Sequence, residues 1–116
     1  MRIGTDIVSI NRVAKSIDRF GDRYKKRFLN PSEIQKAKRT ESIAGYWAAK
    51  EAISKALGCG IGAELSFLDI TIYKDKKNAP YFRLSLKAQN IHNIKDSSLS
   101  ISHDRGFAIA VVILKL

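Results

Sequence analysis

Ser42-Ile43-Ala44-Gly45-Tyr46-Trp47-Ala48-Ala49-Lys50-Glu51-Ala52-Ile53-Ser54-Lys55-Ala56-Leu57-Gly58 is the stretch on which the reading of the fold turns. It is rich in alanine, lacks proline and stops at a glycine. It therefore reads as the chain's strongest helix, from about Ser42 to Leu57, with Gly58 as its C-terminal stop. Trp47, Glu51 and Lys55 are four residues apart and share one face of it. Gly58-Cys59-Gly60-Ile61-Gly62 follows as a glycine-rich loop.

Upstream, Arg2 to Val8 alternates as a strand, with Ile3, Thr5 and Ile7 on one side and Gly4, Asp6 and Val8 on the other. Helix period then takes over: Ile10, Val13, Ile17 and Phe20 form one apolar stripe, flanked by a basic ridge of Arg12, Lys15 and Arg19. Gly21 ends or bends this helix, and Asp22 to Leu29 is a basic stretch anchored by Tyr24 and Phe28. Asn30-Pro31-Ser32-Glu33 starts a short helix to about Lys38, with Asn30 at the N-cap and Glu33 at the third helical position.

Downstream, Leu68 to Tyr73 and Tyr81 to Leu86 alternate as a hairpin around Lys74 to Pro80, with Phe82, Leu84 and Leu86 inward. Lys87 to Ile94 reads as a short helix, Leu99 and Ile101 mark another strand, and His103-Asp104-Arg105-Gly106 reads as a turn. Phe107 to Leu114, apolar on both faces, reads as a central strand. The order β-α-α-α-β-β-α-β-β predicts a single α+β domain over residues 1–116, an antiparallel sheet packed with helices.

Composition narrows the classes. The chain has 116 residues, of which 45% are hydrophobic, so it is not a disordered tail. Its longest apolar run has eight residues, far short of the twenty or so that span a membrane. Asp6 interrupts any signal-peptide core, and one cysteine, Cys59, makes no internal disulfide, so a cytoplasmic location is expected. The formal charge is +10. Between Ser9 and Arg39 ten Lys/Arg stand against three acidic residues, so +7 of it lies there. Such a field attracts an anionic partner: nucleic acid, a membrane surface or an acidic protein. A solvated basic face with no partner is the plain alternative.

Three features can carry chemistry. A carboxylate in an apolar strand is costly if buried and unpaired, so Asp6 is an edge residue, a cap or a metal ligand. Glu51 and Lys55 are either an ordinary surface i, i+4 pair or, with Asp6, part of a Mg²⁺ and phosphate site; Mg²⁺ takes one or two carboxylates, waters and substrate phosphates. Gly58, Gly60 and Gly62 allow backbone amides near an anion, but the loop lacks a Walker ending and follows a helix, so a simple helix stop explains it. His103 is a turn histidine that is either solvated or in contact with a phosphate. No nucleophile is assigned to Cys59.

Gly4-Thr5-Asp6-Ile7-Val8 and Ala48 to Gly62, together with Leu65-Ser66-Phe67, Pro80-Tyr81 and Ser100-Ile101-Ser102-His103, resemble the holo-[acyl-carrier-protein] synthases, the short bacterial 4′-phosphopantetheinyl transferases. The resemblance covers essentially the whole chain. It implies transfer of the phosphopantetheine arm of coenzyme A to a serine of acyl carrier protein, in support of fatty acid biosynthesis, releasing adenosine 3′,5′-bisphosphate. It implies a Mg²⁺ cofactor held by Asp6 and Glu51, with Asp6, Glu51 and Lys55 as the catalytic set. Lys55, His103, Pro80 and Gly60 would bind coenzyme A, His103 reaching it from a neighbouring subunit of a homotrimer. Arg12 and Arg23 would dock the acidic carrier protein. On this reading neither nucleic acid nor membrane is a partner.

Two places depart from the family pattern. Tyr46 stands where many relatives have arginine, and the hairpin reads Asn78-Ala79-Pro80 where Gly-Lys-Pro is usual, so a charge near the nucleotide is lost. Asn78 tolerates positive φ, so the turn can survive. The principal rival is a small basic nucleic-acid-binding domain, favoured by charge alone. Against it stands the lack of a helix-turn-helix signal, zinc-ligand spacing or an RNP-like aromatic strand. An inactive carrier-binding homologue is a third reading, opposed by the retention of Asp6, Glu51 and Lys55 together.

Overall fold

In the computed structural model, which describes residues 1–116, the chain runs β1 (Arg2–Ser9), α1 (Ile10–Phe20), α2 (Asp22–Phe28), α3 (Pro31–Lys36) and α4 (Thr40–Leu57). A 3-10 turn (Phe67–Asp69) leads to β2 (Ile70–Lys74), β3 (Pro80–Leu84), α5 (Leu86–Ile91), β4 (Asp96–Asp104) and β5 (Phe107–Lys115). The strands form two antiparallel sheets rather than one: β1-β5-β4 and β2-β3. β5 is the central strand of the larger sheet, as its continuous apolar run predicts.

The sequence expectations also fail within elements, and Leu68, expected to begin a strand, lies in the 3-10 turn. Asp22–Phe28, read as a basic stretch anchored by Tyr24 and Phe28, is a helix; the anchors hold, with Phe28 buried and Tyr24 packed edge-on to it. Leu86, read as an inward strand residue, opens α5 and is 78% exposed, because Ser85 caps that helix by accepting from the Ala88 N–H at 3.2 Å. Phe20, read as part of the apolar stripe of α1, lies outward with the Arg19 guanidinium over its ring at 5.2 Å. The β4–β5 turn is also shorter than expected. His103 and Asp104 stay in the strand, and Arg105 and Gly106 make the turn with φ of 50° and 85°.

α4 lies across the inner face of the larger sheet. That face carries Ala108, Ala110 and Val112, all buried, and small residues here let the helix come close. The tightest point is Gly4: a Cβ there would sit 1.9 Å from the Ala52 carbonyl oxygen, so no side chain fits between strand and helix. α4 ends where Gly58 turns left-handed, at φ 82°. The opposite face of the sheet is uncovered. Ile3 and Ile7 of β1 pair with Ile113 and Ile109 of β5, and with Phe107 all five are exposed apolar side chains.

Candidate functional site

The Gly4–Ala52 approach fixes what lies beside it. Asp6 is two residues further along the same face of β1, so it meets α4 at the turn that carries Glu51 and Lys55. The Lys55 ammonium donates to Asp6 Oδ1 at 2.9 Å and to the Thr5 carbonyl at 3.2 Å. Asp6 is mostly covered, its side chain 16% exposed, whereas that of Lys55 is 52% exposed. Glu51 makes no ion pair. Burial pushes its carboxyl above the usual carboxylate range and the Asp6 charge pushes further, with Lys55 opposing.

Asp6, Glu51 and Lys55 line one cleft of about 410 Å³, with Arg12 from α1 and the rings of Tyr24 and Trp47. Nowhere in the chain do three or more His, Cys, Asp or Glu side chains gather as a metal cluster. The available donor set is thus two carboxylates facing an open cleft, with repulsion between them only partly offset by Lys55. A hard cation that keeps waters and takes phosphate oxygens suits such a set.

The cleft's aromatic side was only partly readable from sequence. Trp47 packs against Phe67 with the rings tilted, centroids 4.7 Å apart, meets Phe28 edge-on at 5.0 Å and lies parallel to Tyr24 at 6.4 Å. These rings and Arg27 line a second hollow of about 370 Å³, which shares Tyr24 and Trp47 with the first.

Behind this wall is a feature that the sequence reading missed. The Lys50 side chain is fully buried, and its ammonium donates to Glu33 Oε1 (2.8 Å), the Phe28 carbonyl (2.6 Å) and the Phe67 carbonyl (3.1 Å). Glu33 is equally buried; its Oε1 also accepts the Asn30 N–H (2.7 Å) and its Oε2 the Ile72 N–H (2.8 Å). The capping role expected of Glu33 is present, yet it is half of what Glu33 does. The available signal was that Lys50 falls within the stripe Ile43, Tyr46, Ile53, where an apolar residue is expected.

The other expected site residues lie apart from the cleft in the isolated chain. His103 is exposed near the end of β4, where it faces Glu41 and helps hold that carboxyl low, after the larger effects of its backbone and Arg39 hydrogen bonds. Glu41 precedes Glu51 by ten residues, roughly 15 Å along α4. Pro80 opens β3 opposite Lys74, and Asn78 has the positive φ, 66°, that the hairpin requires. Gly58, Gly60 and Gly62 donate their N–H groups to Lys55, Ser54 and Leu65 carbonyls, so the run closes the helix and leaves none of those amides free. Around Gly60, nothing lies within 4 Å of where a Cβ would be. Arg23 is exposed on α2, outside the cleft lining that includes Arg12. Tyr46 is buried in the core, where burial and Glu33 raise its hydroxyl pKa.

Comparison with known proteins finds relatives over nearly the whole chain. The 4′-phosphopantetheinyl transferase superfamily model matches residues 2–112. A holo-[acyl-carrier-protein] synthase of Sulfurovum sp. is 60% identical over 111 residues, 96% of this chain and 93% of the relative. The crystal structure of Helicobacter pylori holo-[acyl-carrier-protein] synthase in complex with coenzyme A superposes with a TM-score of 0.93 at 55% identity, covering 97% of this chain and 99% of that one. A holo-(acyl-carrier-protein) synthase from Bacillus anthracis, in complex with CoA (3′,5′-ADP), gives a TM-score of 0.82 at 39% identity, covering 97% and 94%.

Proposed function

The chain belongs to the 4′-phosphopantetheinyl transferase superfamily, and from that premise we propose that it acts as a holo-[acyl-carrier-protein] synthase, moving phosphopantetheine from coenzyme A to a serine of apo-acyl carrier protein. The observation that carries this reading is the convergence of Asp6, Glu51, Lys55 and Arg12 on one cleft. It gives carboxylates for a cation, a lysine for a phosphate and a basic rim for an acidic protein.

In this proposal Asp6 and Glu51 hold Mg²⁺, which when bound supplies positive charge against the diphosphate of coenzyme A. Lys55 is half-exposed and reaches Asp6 only through its tip, so it can turn to a diphosphate oxygen without leaving the site. Glu51, which no ion pair ties up, is the carboxylate that accepts the proton of the carrier's serine hydroxyl. The serine oxygen forms a bond to the phosphorus that bears pantetheine. The bond from that phosphorus to the bridging oxygen breaks, and adenosine 3′,5′-bisphosphate leaves with the negative charge. The work of the protein is therefore positioning and charge neutralisation, which suits phosphoryl-type transfer.

The proposal extends to assembly. Residues 1–116 act as one domain, and three copies associate through the uncovered face that bears Ile3, Ile7, Phe107, Ile109 and Ile113. A contiguous apolar sheet face of this kind is normally covered. Association brings His103 and Pro80 of one copy to the coenzyme A nucleotide bound by its neighbour, which accounts for their distance from the cleft within one chain. Open surroundings at Gly60 let the nucleotide approach the backbone there. Arg12 and Arg23 dock the acidic carrier. The product serves fatty acid synthesis in the cytoplasm, a reducing compartment that suits the one free cysteine. No helix is long and apolar enough to cross a membrane.

The deciding experiment is mass spectrometry of apo-acyl carrier protein incubated with this protein, coenzyme A and Mg²⁺, with an EDTA control. The expected result is a gain of one phosphopantetheine, abolished by EDTA. No gain, while a known transferase modifies the same carrier, overturns the reading.

A further inference from the structure

We propose that the buried Glu33–Lys50 pair is a positioning device that sets the aromatic wall of the cleft and thereby the approach of the acidic carrier. The inference rests on the transferase reading for its partner, though not for its geometry. A fully buried ion pair gives little net stability over apolar side chains of the same size. What it gives here is direction. The ammonium has three donors, and it spends them on Glu33 Oε1, the Phe28 carbonyl and the Phe67 carbonyl. Phe28 and Phe67 are the residues whose rings flank Trp47, at 5.0 and 4.7 Å.

One side chain of α4 thus holds both ring-bearing segments against a tryptophan three residues earlier on the same helix. With both carbonyls held by Lys50, neither backbone segment can draw its ring away from Trp47 without breaking a bond to the ammonium. Glu33 extends the clamp to β2 through the Ile72 N–H and to the start of α3 through the Asn30 N–H. The held wall separates the Asp6–Glu51 carboxylates from Arg27, while Arg12 lines the same cleft from α1. An acidic carrier drawn to these cations must pass its serine along the wall to reach Glu51. Coenzyme A, met by Lys55 at the opposite end of this face, does not.

The test is the double variant Glu33→Leu/Lys50→Met, which removes both charges while keeping the volume apolar. Trp47 is the chain's one tryptophan, so its emission reports on the wall directly. The expected result is a folded protein with red-shifted, more readily quenched Trp47 emission. The carrier KM should rise about tenfold, while the coenzyme A KM moves less than about twofold, a loss in keeping with small misplacements at a docking surface. Unchanged Trp47 emission with an unchanged carrier KM overturns the proposal. So does an equal loss for both substrates, since a merely structural role spares neither. If the double variant does not fold, Glu33→Gln is read by the same measures; it keeps the side-chain shape but removes the counter-charge of Lys50 and, whichever way it turns, sets its NH2 against a donor. The fluorescence arm needs no turnover. A wild-type protein without transferase activity would therefore break the functional reading, while the emission still decides whether the pair holds the wall.

Discussion

Two lysines five residues apart on α4 meet carboxylates in opposite surroundings. Lys50 and Glu33 are closed: both side chains are fully buried, and the ammonium's three donors have protein acceptors. Lys55 and Asp6 are open: the lysine is half-exposed, and unpaired Glu51 stands beside them at the mouth of a cleft. The residue types match, but the burial does not. A closed pair has spent its bonding capacity inside the protein and can only hold shape. An open pair retains capacity for a substrate. Adjacent residues of one motif, Lys50 and Glu51, are thereby divided between architecture and chemistry.

That contrast can be broken in four ways, ordered by expected effect. Lys50→Met leaves the Glu33 carboxylate buried without a counter-charge, and stability should fall by about 3–5 kcal/mol in urea unfolding. A loss below about 1 kcal/mol would mean that the closed pair is not closed. Glu51→Gln should lower turnover by about 10²–10³-fold, the scale of losing one directed charge at a reacting centre. Its melting temperature should stay at or slightly above that of the wild type, because repulsion with Asp6 is relieved; wild-type turnover would sink the assignment. Lys55→Met should change stability by only about 1 kcal/mol, because water screens the half-exposed ammonium, while transfer falls. Equal damage to fold and activity would erase the distinction between the two lysines.

The smallest effect is in pH. The Glu51 carboxyl pKa is raised in the folded chain, chiefly by burial and then by Asp6. The folded state therefore binds this proton more tightly than the unfolded one, in which glutamate titrates near about 4.3. As pH rises from there through the raised value, this group lowers stability, and Glu51→Gln should abolish that part of the slope. A variant with an unchanged stability–pH curve would show that Glu51 is not strained by its neighbours.

Local chemistry was legible in the sequence where one element carries it. The alanine-rich helix with its glycine stop, the Glu51–Lys55 spacing and the alternation of Gly4, Asp6 and Val8 all survive in the structure. Asp6 beside Lys55 was legible from the residues only as one alternative, which the family resemblance favoured, since spacing within a strand says nothing about which helix crosses it. The Lys50–Glu33 pair was not legible, because its partners come from α2, α3, β2 and the 3-10 turn and meet only after folding. α2 was hidden for a different reason. With so many cations its helical period is carried by few apolar residues, and the packing of Phe28 on Trp47 supplies the rest. The division into two sheets escaped because strand alternation fixes faces and leaves partners open.

The uncovered apolar face opposite α4 has a consequence for how much of the protein works at a given abundance. If covering that face completes the nucleotide site, catalytic output is governed by mass action and not by the number of chains alone. Dilution then lowers specific activity even when every chain stays folded. On that same condition, coenzyme A bound across the seam would act as a glue that draws the copies back together.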